Sequence, residues 1–289
     1  MRRWSATGTY AVFHQFLRMS PKKAIEKLRM QRGGQCTAIV TGATSGMGLE
    51  YARQLAELGC DVVIVSNQSD RLVTVATQLH NDFGVETWHL YKDLATDSAA
   101  QEVFDFCTQN GLQIDILVNN AGMFFFEELT EKNTAKAETM LRLHMITPTR
   151  LTLLFAEEMK KRRCGYILNM SSMAAKIPAP GIAMYSATKA YLRSFTKSLF
   201  FELKAHGVGI TTVCPGAVAT PLYNLSEKNQ KLALRLGVMR TPKRLVKSAL
   251  KALFRRRRCV TPGFINHIAP ACVNVLPHSL VMKIWRKVK

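Results

Sequence analysis

Acidic side chains are scarce in this chain of 289 residues: 20 Asp and Glu stand against 40 Lys and Arg. The shortage is local. Residues 1–36 carry +7 with Glu26 as their one acid, residues 227–289 carry +15 with Glu227 as theirs, and residues 37–226 carry −2. A nearly neutral globule with two basic ends implies a polyanionic partner, either a phospholipid surface, an anionic carrier or nucleic acid. No nucleic-acid recognition motif accompanies the charge, which sets that partner aside. Glycine and proline are sparse as well, 17 and 10 positions, and 47% of residues are apolar, so a disordered or fibrous chain is excluded. The seven cysteines (36, 60, 107, 164, 214, 259 and 272) include no C-x-x-C pair and are odd in number. That argues against a disulfide scaffold or a metal knuckle and for a reducing compartment. No run of 18 uncharged apolar residues exists before about residue 250, and no internal repeat is visible; an ordinary spanning helix is not expected there.

What is present is enough chain for one domain with appendages. The leader, residues 1–35, sets Tyr10, Phe13, Phe16 and Leu17 near one helical face among basic residues. It reads as an interfacial helix or transit-like segment, or as a short helix packed on the domain. The catalytic domain is expected over 36–258, with a substrate loop at about 220–240. A C-terminal extension, 259–289, is apolar and then basic. Its prolines (Pro262, Pro270, Pro277) make a spanning helix poor, so it fits interfacial attachment or a lid.

Between the ends, short apolar runs alternate with helical stretches. Strands are expected at Thr37–Val40, Val62–Val65, Thr87–Tyr91, Ile114–Asn119, Tyr166–Met170 and Gly209–Cys214. Helices are expected at Gly48–Leu58, Leu72–Phe83, Ser98–Asn110, about Lys132–Arg163 and Tyr185–Ala205. Near-continuous apolar strands between helices predict an α/β fold, a doubly wound parallel sheet of Rossmann type.

Several motifs fall at strand ends. The first strand runs into Thr41-Gly42-Ala43-Thr44-Ser45-Gly46-Met47-Gly48, where glycines let a pyrophosphate approach and a helix N-terminus supplies amide donors. The second ends at Ser66-Asn67, with no carboxylate to claim a ribose 2′-hydroxyl and none to repel a phosphate. That favours NADP(H), with NAD(H) open, and leaves Arg71 as a phosphate partner or a solvated helix residue. Asp93 and Leu94 follow the third strand, where a carboxylate accepts from an adenine amino group or caps a helix. Asn120-Ala121-Gly122 closes the fourth.

Ser172, Tyr185 and Lys189 form the most informative set. Tyr185 and Lys189 share a helical face. A free phenol titrates near ~10. An ammonium about 4 Å away is worth roughly 4 kcal/mol at an effective dielectric of 20, a drop of about three in pKa. That would make Tyr185 a usable acid and base, with Ser172 donating to a substrate oxygen.

Together these motifs, from about Cys36 to Leu222, resemble the short-chain dehydrogenase/reductase family. The resemblance rests on the glycine loop, Asn119-Asn120-Ala121-Gly122, Ser172 with Tyr185 thirteen residues on, Lys189, and Pro215-Gly216 leading to Thr220. It implies hydride transfer between a nicotinamide and a carbonyl or alcohol. Tyr185 would be the acid/base, Lys189 its electrostatic partner and ribose ligand, and Ser172 the orienting donor. Pro215, Gly216, Val218 and Thr220 would lie beside the nicotinamide. Most members carry an asparagine where this chain has His144, which would hold a proton-relay water or simply sit in the core. A non-catalytic dinucleotide-binding protein is the alternative that this departure supports.

Met123-Phe124-Phe125-Phe126, Met173, Ile182, Met184 and Leu222-Tyr223 surround these motifs and suit a small hydrophobic carbonyl substrate. A 3-oxoacyl reductase and a hydroxysteroid dehydrogenase are the specific versions. The further expectations are an anionic membrane surface or an acyl carrier as partner, a homo-oligomer through the Tyr185 helix, and a cytoplasmic or peripheral-membrane location.

Overall fold

The computed structural model of the chain describes residues 19–177, 179–218 and 239–263, together with 266, 270, 273, 275–277 and 279–280. The aromatic face of the leader, Thr220, Leu222 and Tyr223 lie outside the described residues.

A short helix, α1 (Pro21–Gln31), leads into β1 (Thr37–Thr41), α2 (Gly46–Glu57), β2 (Asp61–Ser66), α3 (Ser69–Phe83), β3 (Thr87–Tyr91), α4 (Ala99–Gln109) and β4 (Ile116–Asn119). There follow α5 (Thr134–Leu141), a π turn (Arg142–Ile146), α6 (Thr147–Lys161), β5 (Gly165–Met170), α7 (Ala183–Ala205) and β6 (Val208–Val213). Last come the two-residue strands β7 (Ala217–Val218) and β8 (Met239–Arg240), α8 (Pro242–Phe254) and β9 (Cys259–Val260).

Every pairing is parallel, and the main sheet runs β3-β2-β1-β4-β5-β6-β9. The apolar strands predicted this, because burial on both faces removes the need for polar alternation. Val40 lies opposite Ile64 and Val118, and these belong to the core under α1, α2, α3 and α8. Ile39, one residue earlier, lies opposite Val63 and Leu117 and belongs to the core under α4, α6 and α7. The period of two thus splits one strand between two cores. Strand order reverses between β1 and β4, so a crevice opens at the carboxyl ends of those strands.

Two expectations change. The single helix expected over Lys132–Arg163 is divided: Thr147 N–H bonds back to Arg142 O, five residues earlier, closing the π turn. Pro148 accounts for the break, since it lacks the N–H that would bond the His144 carbonyl four residues back. The boundary at 258 also falls just before a strand of the sheet, because Val213 pairs with Val260 along β6. Ahead of residue 36, α1 packs on the domain through Ala24, Ile25 and Leu28. No helix among the described residues is long and apolar enough to cross a membrane.

Candidate active site

The glycine loop is built by close approach. A Cβ on Gly48 would lie 1.9 Å from the Gly42 carbonyl oxygen, so only glycine lets α2 start against its own loop. Ser45 caps α2 without a side-chain bond, and the first turn holds no acid, which leaves amide donors and the positive end of the helix available to an anion. Asn120 ties the loop to the end of β4: its Nδ2 donates to Thr41 O at 3.0 Å, and the Asn120 and Ala121 N–H groups both donate to Thr41 Oγ1 at 3.0 Å.

These strand ends enclose a cleft of about 480 Å³. Gly42, Thr44, Ser45, Gly46 and Met47 line one side, with Asn67, Asp93 and Leu94 toward β2 and β3. Asn120, Ala121, Gly122, His144, Ser172, Tyr185, Lys189, Pro215, Gly216 and Val218 line the rest. Two of the expected residues do not line it. Gly48 stands behind the loop, and Arg71 is exposed on the first turn of α3 and is not part of the cleft wall. Asp93 is not a helix cap either; that position of α4 belongs to Ser98, and Asp93 Oδ1 instead accepts the Ala95 N–H at 2.9 Å. Ser66 and Met123 line it as the sequence suggested, whereas Gln68, Lys92 and Leu143, which also line it, were missed. Lys92 arrives there through the pairing of β2 with β3 and Leu143 through the π turn, neither of which a local pattern shows.

At the far end of the cleft, α7 brings Tyr185 and Lys189 inward, 7% and 5% exposed. Lys189 Nζ donates to Met170 O at 3.0 Å and lies 5.7 Å from the Tyr185 ring centroid. Burial pulls the lysine down to about 8, opposed by the nearby Cys214. Ser172 Oγ accepts the Ala174 N–H at 3.1 Å, which leaves the hydroxyl proton to donate. Phe124 packs edge-on to the Tyr185 ring, centroids 4.9 Å apart. Asn119 faces the other way, into a buried network with Asn169, Thr152 and the Pro148 carbonyl.

His144 is fully buried in the π turn, its ring edge-on to Tyr185 at 5.7 Å. Nε2 accepts the Met123 N–H at 3.0 Å, so Nδ1 carries the proton and donates to Thr188 Oγ1 at 3.1 Å. Thr188 in turn donates to the Tyr185 carbonyl at 2.9 Å. Burial, and then the charge of Lys189, hold the imidazole well below its usual pKa. Both ring nitrogens are engaged within the protein, which leaves neither for a relay water.

The cleft suits a dinucleotide. Its loop presents uncapped helix amides, and Asn120 Oδ1 is buried without a hydrogen-bond partner in the protein.

Comparison with known proteins agrees with this fold. A sequence model described as short chain dehydrogenase matches residues 36–231. The very-long-chain 3-oxoacyl-CoA reductase of Mus musculus is 33% identical over 256 residues, 86% of this chain and 77% of that protein. The 17-beta-hydroxysteroid dehydrogenase type 3 of Mus musculus is 32% identical over 225 residues, 76% of this chain and 72% of that protein. Among solved structures, a short-chain dehydrogenase from Sphingobium yanoikuyae in complex with NADPH superposes with a TM-score of 0.71 at 26% identity, covering 84% of this chain and 97% of that one.

Proposed function

We propose that this chain, which belongs to the short-chain dehydrogenase family, uses NADPH to reduce the keto group of a hydrophobic substrate, with long-chain 3-oxoacyl thioesters as the first class to test. Family membership makes it an oxidoreductase of the alcohol–carbonyl couple. The substrate class, the cofactor preference and the residue roles are the proposal.

The observation that carries it is the convergence of Ser172, Tyr185 and Lys189 on the cleft that also holds the glycine loop. A nicotinamide held in this cleft would supply the hydride for the carbonyl carbon. Ser172 donates its hydroxyl proton in a hydrogen bond to the carbonyl oxygen and sets its position. Tyr185 transfers the phenolic proton to that oxygen as charge develops on it. Lys189, anchored by the Met170 carbonyl, stabilises the phenolate that remains. Phe124, Met123 and Leu143 keep this end apolar, which strengthens each of those electrostatic effects. His144 serves by holding Met123 and α7 in place.

NADP(H) rather than NAD(H) is supported by the missing carboxylate after β2 and by the NADPH in the Sphingobium yanoikuyae structure. The 3-oxoacyl reading is supported by the name of the Mus musculus relative, by the apolar end of the cleft, and by basic ends that complement the phosphates of a coenzyme A or acyl-carrier thioester. The steroid-ketone reading is supported by the second relative. Attachment to an anionic membrane surface and pairing of two copies through α7, where Tyr191 and Phe201 are exposed, complete the proposal.

The test follows NADPH consumption with 3-oxoacyl thioesters of increasing chain length and with steroid ketones. kcat/KM is expected to climb with acyl length, and Tyr185→Phe to lower kcat by about 10²–10⁴. No turnover on any ketone, or an unimpaired Tyr185→Phe, overturns the proposal.

A further inference from the structure

If the cofactor carries a 2′-phosphate, some cation must meet it, and Arg71, exposed on α3, does not line the cleft. The fold fixes where that phosphate lies. The pyrophosphate belongs at the glycine loop between β1 and α2, and the adenosine ribose belongs beyond it, at the end of β2. The Tyr185 end is on the opposite side, beyond β4, because the strand order is β3-β2-β1-β4-β5. The 2′ substituent therefore falls against Ser66, Asn67 and Gln68 and the strand next to them, β3.

Among the described residues two lysines line the cleft, Lys92 and Lys189. Lys189 is committed to the Tyr185 end by its bond to the Met170 carbonyl. Lys92 stands at the ribose end: its N–H donates to Ser66 O at 2.9 Å, one step beyond the β2–β3 pairing of Ser66 with Tyr91. The β2 residues beside it are neutral. Ser66 and Gln68 are turned to Thr44 Oγ1, at 2.8 and 2.9 Å, and among the described residues the only carboxylate on the cleft wall is Asp93.

We propose that Lys92 is the residue that selects NADP(H), its ammonium receiving the 2′-phosphate. This rests on the cofactor reading above and deepens it. The ammonium is not idle without the ligand. It pairs with Glu102 on α4, half-exposed and also bonded by Ser98. The side chain of Lys92 is 22% exposed, so it is reachable from the cleft, and a doubly charged phosphate competes with a single solvated carboxylate for it. Glu102 thus works as a placeholder that keeps Lys92 extended at the rim and yields it to the stronger anion. A lysine suits this exchange, being a compact point charge on a flexible stem.

The experiment measures binding without turnover. Adenosine 2′,5′-bisphosphate and 5′-AMP are titrated calorimetrically into the parent, Lys92→Met, Arg71→Met and Glu102→Gln. The parent is expected to prefer the bisphosphate by about tenfold or more, and Lys92→Met to bring that ratio close to one with 5′-AMP affinity unchanged. Arg71→Met should leave the ratio as it is, and Glu102→Gln should raise bisphosphate affinity a few-fold. Unchanged 5′-AMP binding certifies that each variant is folded, and Lys92→Arg offers a charge-preserving second variant expected to keep most of the preference. A parent that prefers the bisphosphate while Lys92→Met keeps the full ratio overturns the role of Lys92 and spares the NADP(H) reading. A parent with no preference overturns both.

Discussion

His144 Nε2 accepts the backbone N–H of Met123 at 3.0 Å. The bond joins the π turn to the segment that carries Phe124 onto the Tyr185 ring, and it settles the tautomer. With Nε2 accepting, Nδ1 donates to Thr188, and Thr188 donates to the Tyr185 carbonyl. One neutral imidazole therefore ties both walls of the site together. Protonating it breaks the Met123 bond and puts a second cation beside Lys189.

His144→Ala is accordingly expected to lower kcat more than it weakens cofactor binding, because Met123 and α7 lose their shared anchor while the glycine loop is untouched. His144→Asn should recover a good part of the loss, since a side-chain amide can accept from the Met123 N–H and donate to Thr188. A neutral His144 also contributes no inflection to the pH–rate profile between about pH 6 and 7. An inflection there that disappears in His144→Asn would show that the imidazole titrates during turnover.

Gly48 offers a separate test at the other end of the cleft. A methyl group there would sit 1.9 Å from the Gly42 carbonyl oxygen and 2.6 Å from Asn120 Nδ2, and the first of these is backbone that cannot swing aside. Gly48→Ala should move α2 off its loop, costing about 1–3 kcal/mol of stability and dinucleotide binding by at least about tenfold. Binding at parental affinity would mean that the loop does not need this approach.

Much of this was legible in the sequence because the signals were local. Val62 to Val65 announced a strand buried on both faces, the glycine spacing announced the loop, and Tyr185 with Lys189 announced a shared helical face. The positions that were not legible depend on contacts between distant segments. Arg71 follows β2 by only a few residues, yet α3 turns its side chain out to solvent, while Lys92, on a different strand, arrives beside Ser66 through sheet pairing. The π turn was obscured because the apolar pattern of a long helix continues across it, and only Pro148 marked the break. Cys259–Val260 is too short to show any period, and its place in the sheet comes from pairing with β6.

Lys189 carries a pH signature. Burial lowers its folded-state pKa from 10.5 to about 8. Between those values the unfolded chain holds a proton that the folded chain does not, so stability rises with pH across that window. Below about pH 8 the penalty is fully present, on the order of 3 kcal/mol. Lys189→Met carries no such penalty. Its stability relative to the parent, by urea denaturation without cofactor, should therefore be most favourable at pH 7 and decline by about 3 kcal/mol as pH approaches 10.5. A difference independent of pH would show that the ammonium is not desolvated.

Asp115 supplies the last test, at the foot of the sheet away from the chemistry. It is fully buried, accepts the Thr37 N–H at 3.0 Å, and is paired with Arg32 at 3.3 Å and Arg162 at 3.7 Å. Arg32 caps α1, so the carboxylate fastens the leader helix to β1 and β4. Burial nonetheless leaves its pKa above the usual carboxylate value, the two guanidiniums only partly offsetting it. Replacing Arg32 and Arg162 together with Met strands the charge and should cost about 3–5 kcal/mol. The sign of its pH dependence separates this from lost packing. A carboxyl whose folded pKa is raised takes up a proton on folding, so stability grows as pH falls through that pKa. The double variant should thus regain part of its loss on acidification from pH 7 toward pH 4, relative to the parent. Adding Asp115→Asn should give back part of the loss at pH 7 and remove the pH dependence, whereas a loss that stays constant with pH and survives Asp115→Asn would assign the effect to the arginine stems packing on α1.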